Sequence, residues 1–194
     1  MTTPIPPPDA PATPLAPPSF LPHLRRATAA ALSRLPRALG PEVYVLSFRI
    51  GRIADDPRRP RLTVGGNTEG RFRAQRVRHG TDEARWNPLH WLPGGEVVGD
   101  GPVAAAFRAE AVRLGHWYED GDDLTDAEED DCAEALYALF ADACERVADA
   151  LTTDGTLLRA LGRTVPVVVH DPVLAGWEPP RPPDPRLPPS APHP

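Results

Sequence analysis

Proline constrains this chain before any other residue does. Of its 27 prolines, nine fall within the first 22 residues and ten within the last 23. A proline fixes its own φ, removes a backbone donor and biases its predecessor away from helix. Segments this rich in it hold too little apolar surface to offset the entropy of ordering. Residues 1–18 and 176–194 are therefore expected to be disordered or polyproline II tails. They leave one domain at 19–175, long enough to bury about two-thirds of its unfolded surface without staples.

Over the whole chain the composition is still that of a globular protein, with 41% hydrophobic and 25% charged residues. All 21 basic residues are Arg, so mechanisms that need a lysine amine are excluded. The Arg-only usage, with abundant Ala, Gly and Pro, suggests a GC-rich bacterial genome. A net charge of −6 argues against general nucleic-acid binding. No run approaches the 18 apolar residues of a membrane span, and the N-terminus lacks the charged start and apolar stretch of a signal peptide. A soluble, cytoplasmic protein is expected. Cys132 and Cys144 fall in one predicted helix, roughly 18 Å apart along its axis, too far for a disulfide.

Hydrophobic periodicity orders the elements. Ser19 is placed to cap a first helix carrying Leu24, Thr28, Ala31, Leu32 and Leu35 on one side, which Pro36 weakens. Residues 42–53 (EVYVLSFRIGRI) read as a strand. Alternation puts Val43, Val45, Ser47 and Arg49 on one face and Tyr44, Leu46, Phe48 and Ile50 on the other. Residues 55–60 read as a loop and 61–64 as a short antiparallel partner. The glycines at 65 and 66 are expected to turn the chain into a helix over 70–79, capped by Asn67 or Thr68. ARWNPLHWLPGG (84–95) reads as turns, and Gly94, Gly95, Gly99 and Gly101 as a flexible connector. Helices follow at 102–118, at 126–151 with a Thr125/Glu128 capping box, and at 152–162. A last strand covers 165–170, with Pro166 marking a strand start or sheet edge. The expected fold class is α+β, a small, mainly antiparallel sheet packed against several helices and covered on one face.

Chemical motifs are mostly near misses. Residues 65–72 (GGNTEGRF) have the glycine spacing of a P-loop but Arg71 and Phe72 where Lys and Ser or Thr belong. No HExxH or close His/Cys cluster exists, so neither metal nor cofactor is expected. No serine sits in a nucleophile elbow. Residues 119–131 carry nine carboxylates without the EF-hand spacing. Part of that density fits a helix N-terminus. The rest makes Asp120, Asp122, Asp123, Asp126, Glu128 and Glu129 candidate contacts for another protein with a basic surface, such as a nuclease or other toxin. Trp86 and Trp91 flank Pro88 at a spacing that separates them by about 140° on a helix. A turn around Asn87-Pro88 would instead plant both indoles against the sheet. A rival reading lines a cleft with Trp86, Trp91, His90, His170 and Asp171, and His116 could join it only through folding. A third reading makes the chain a scaffold whose proline-rich tails recruit partners.

Taken in order, these pieces resemble the uncharacterised, mainly bacterial family known as domain of unknown function 4303. The hydrophobic aromatic strand over 43–48, the Asn67-Thr68-Glu69 turn, the Trp86-x-Pro88-x-His90-Trp91 segment, the long helix and the closing strand ending in Asp171 carry the resemblance, across residues 20–172. Gly70 and His90 stand where the family tends to have acids. The resemblance implies an α+β domain with no established activity. By analogy of class, small acidic domains like this often serve beside toxins as immunity proteins. The leading expectation is a non-enzymatic protein-binding domain.

Overall fold

A computed structural model of the chain describes residues 20–35 and 39–171. Ser19, Pro36, the expected domain limits and both proline-rich tails lie outside the described residues. The first helix, α1 (Phe20–Leu32), buries Phe20, Leu24, Thr28, Ala31 and Leu32, the stripe its spacing predicts.

Strands β1 (Val43–Ile53) and β2 (Asp56–Thr68) form an antiparallel hairpin. Its connection is only Ala54 and Asp55, both left-handed at φ 54° and 57°, the two-residue turn whose twist suits a hairpin. The expected loop over 55–60 is therefore mostly strand. Pro57 and Pro60 are tolerated there because β3 (Glu96–Val98) pairs only with Leu62, Thr63 and Val64 of β2, leaving the first half of β2 as an edge. Gly65 and Gly66 do not turn the chain either. They continue β2, and a Cβ at Gly66 would lie 2.6 Å from the Val45 carbonyl oxygen. Likewise the expected flexible connector contains β3. A Cβ at Gly95 would lie 2.4 Å from the Val64 oxygen, so glycine there permits close backbone packing rather than motion.

The last strand, β4 (Val167–His170), adds to β1 in parallel, and Leu46 N–H donates to the Pro166 oxygen just before it. The sheet order is β3-β2-β1-β4. The architecture is α+β, as expected, with one parallel pair in an otherwise antiparallel sheet.

Helices α4 (Pro102–Leu114), α5 (Asp126–Thr153) and α6 (Thr156–Leu161) join α1 over one sheet face. There Phe20, Phe48, Phe107, Phe140 and a set of Leu and Val side chains form the main core. Helix α4 stops at 114, four residues early, because Gly115 turns left-handed at φ 76°. The α5 capping box is present as predicted: Thr125 accepts from Glu128 N–H while Glu128 accepts from Thr125 N–H at 2.8 Å. Both cysteines lie on α5 and are free. Burial pushes the Cys144 thiol far up, so it stays a neutral core group.

The sheet is not covered on one face only. Helix α2 (Glu69–His79), helix α3 (Thr81–Trp86) and a 3-10 turn (Pro88–His90) lie over the other face. A second buried cluster forms there from Tyr44, Val45, Phe72, Ala84, Trp91 and Val168, with Trp86 packed on it. Simple alternation along β1 holds from Val45 to Ile50 but fails at its start. A register irregularity between Val43 and Val45 sends Val43 to the main core and places Tyr44 and Val45 together on the second face.

Candidate functional site

The second face gathers most residues that the sequence singles out. Thr68 ends β2 and caps α2, its hydroxyl accepting from Arg71 N–H at 3.2 Å. Asn67, fully buried, donates to the Tyr44 hydroxyl at 3.0 Å, and its own Oδ1 has no partner among the described residues. The Tyr44 hydroxyl donates in turn to the Arg85 carbonyl oxygen at 2.8 Å. Trp91 Nε1–H donates to that same oxygen at 3.0 Å. One carbonyl thus satisfies two buried aromatic side chains, the requirement that lets Tyr and Trp enter a core.

The Arg85 side chain completes the arrangement. It forms a two-pronged pair with Glu69, at 2.8 and 3.3 Å. Its guanidinium carbon lies 4.3 Å from the Tyr44 ring centre, 4.8 Å from Phe72 and 5.8 Å from Trp86. Tyr44 and Trp86 meet edge to face at 6.2 Å. Burial pushes the Tyr44 phenol up to about 12, against the lowering effect of the Asn67 hydrogen bond, so it remains a neutral donor. Sequence reasoning named Asn67, Thr68, Glu69, Trp86 and Trp91 but missed Arg85 and Tyr44, which link them.

The histidines divide. His170 is buried on β4, edge to face with Trp91 at 6.1 Å, and its Nε2 lies 2.8 Å from the Ser47 hydroxyl. Burial, with Arg49 beside it, pushes His170 down to about 4, although Asp171 acts the other way. It is therefore neutral at physiological pH. His90 instead stacks on His79 at 3.9 Å, with Nε2 3.5 Å from Glu83, and its carbonyl accepts from Arg71 Nε at 3.3 Å. Pro88 supplies the first residue of the 3-10 turn, where a missing N–H costs nothing. Asp171 is buried and acts on the Tyr137 phenol of α5, raising its pKa after burial does. His116 follows the left-handed Gly115, its N–H donating to the Ala111 oxygen. His170 and Asp171 thus act on one another, whereas His90 engages a different set of neighbours.

The acidic segment lies apart from this face. Asp120 pairs with Arg58 at 2.6 Å, Asp122 accepts from Glu119 N–H at 2.8 Å, and Glu119 pairs with Arg108. Glu128 is consumed by the capping box. Asp123, Asp126, Glu129, Asp130 and Asp131 are exposed and have no ion-pair partner among the described residues. No cluster of three metal-ligating side chains occurs among the described residues, and none of the described helices is long and apolar enough to cross a membrane.

No family model, no curated protein and no solved structure matches the chain.

Proposed function

We propose that the chain is a non-enzymatic protein-binding domain that presents residues 119–131 to a basic partner, in the manner of an immunity protein of a toxin system. The resemblance to domain of unknown function 4303 belongs to the same reading. The observation that carries the proposal is the group of five exposed, unpaired carboxylates at positions 123, 126, 129, 130 and 131. A helix start needs one cap and gains from an acid or two in its first turn. Thr125 and Glu128 already supply the cap. From Asp126 in the first turn, Asp130 and Glu134 repeat like charges at i, i+4 spacing, which costs the helix about 0.2–0.5 kcal/mol per pair. Acids kept against that cost are suited to meeting positive charge, accelerating encounter and rejecting acidic partners.

The test is affinity capture from the producing bacterium with the full chain and with an Asp123→Ser/Asp126→Ser/Glu129→Ser variant, none of which carries the cap. The expected result is one stoichiometric basic protein held by the parent at low salt, released as salt rises and not retained by the variant. Equal retention of that protein by parent and variant at low salt would overturn the reading.

A further inference from the structure

The geometry points to a small-ligand site at the turn end of the β1–β2 hairpin: a half-enclosed cavity of about 150 Å³ suited to a small carboxylic acid with a ring-sized apolar body. It lies between the first half of β2, the β3–α4 connection and the start of α4. Its floor is apolar, with Ile53, Val103, Phe107 and Phe140. Phe107 and Phe140 meet edge to face at 5.7 Å, and Phe20 packs on them at 5.2 and 5.8 Å, which makes the floor rigid. An apolar cavity of about 150 Å³ is large enough to hold a benzene ring.

The charged part of the lining selects the head group. It comprises Arg58, Arg59 and Asp100, and since Arg58 is already matched by two carboxylates, Arg59 is the cation that can receive a head group. Arg58 is held by Asp56 at 2.9 Å and Asp120 at 2.6 Å, with its guanidinium 5.0 Å from the Tyr118 ring centre. That fixes its position but commits its donors. Arg59 is exposed and has no ion-pair partner among the described residues, so it can turn to a carboxylate without breaking a pair. A close approach preserves the wall: a Cβ at Gly99 would lie 2.9 Å from the Pro60 oxygen. The site is independent of the acidic-segment reading and shares with it only Asp120.

The experiment is amide-resolved NMR titration of the full chain with benzoate and with benzamide, its neutral counterpart. Benzoate should give saturable shifts at Gly99, Val103 and Ala104 with a millimolar Kd, and benzamide should bind about tenfold or more weakly. Arg59→Ala should weaken benzoate to the level of benzamide. Ala104→Leu, at an exposed helix position that accepts leucine, should fill the mouth and abolish binding of both. No saturable benzoate shift at these residues would overturn the site. Equal affinity for benzamide, or unaltered benzoate binding by Arg59→Ala, would overturn the carboxylate assignment. Unaltered binding by a folded Ala104→Leu variant would overturn the location.

Discussion

At Arg85 one residue serves two layers of the second face: its carbonyl accepts from Tyr44 and Trp91, and its guanidinium spans Glu69 and three aromatic rings. Backbone acceptance survives any substitution that keeps α3, but the side-chain contacts do not. Arg85→Ala should therefore destabilise by about 1–3 kcal/mol, measured by denaturant unfolding. Arg85→Lys should recover only part, because an ammonium cannot form the two-pronged pair or lie flat on the rings. A full recovery would show that charge alone matters. His170 yields a pH prediction. Its folded pKa, about 4, lies below the unfolded value near 6.5. The unfolded chain then binds the extra proton between these values, so stability is fully present above about pH 6.5 and is lost as pH falls toward 4, by up to about 3 kcal/mol. Melting temperatures across that window should fall less steeply for His170→Gln than for the parent. Neither residue was legible in its role. Arg85 is one of 21 arginines and only borders the Trp86–Trp91 segment, and Ser47 lies 123 positions from the histidine it meets.

Among the elements, β2 departs most from its sequence pattern. Asp, Pro and Gly at 55–60 and 65–66 read as breakers, yet the strand runs through nearly all of them. Pairing with β1 supplies the hydrogen bonds that local propensity does not favour, and the missing Cβ at Gly66 lets the Val45 carbonyl approach. Gly66→Ala should cost about 1–3 kcal/mol, because a backbone oxygen and Leu39 must both give way. Its measure is the shift in denaturant midpoint, and an unchanged midpoint would mean that the hairpin absorbs the methyl group freely. By contrast α1 and α5 follow their sequence signals closely. The α1 stripe and the Thr125/Glu128 box of α5 depend on residues three or four apart, a range that sequence alone can report.

For the whole molecule, the two sheet faces differ in depth. The main core joins four helices to the sheet, whereas the second cluster has six buried residues and α2 buries only Phe72. Residues 69–91 should therefore open at lower free energy than α1, α4 and α5. Native-state hydrogen exchange checks this. Amides of α2 and α3 should exchange ahead of those in α5, and equal protection would show that both faces unfold as one unit. The candidate partner surface and the candidate ligand cavity both lie away from this weaker layer, on parts anchored by α4 and α5.

The sequence by itself determined the α+β class, the helix stripes, the capped start of α5, the β1 strand and the density of acids at 119–131, because each follows from composition or from neighbours within a turn. Tertiary structure alone decided that Val43 faces the main core and Tyr44 the second face, since an irregularity between Val43 and Val45 breaks the alternation there. It also decided that glycine and proline stretches become strand, that Arg85 joins Glu69 to the aromatic rings, and that Arg59 stands beside an apolar cavity. Those outcomes depend on pairings between distant segments, whose energies are set by the space and partners that the folded sheet provides.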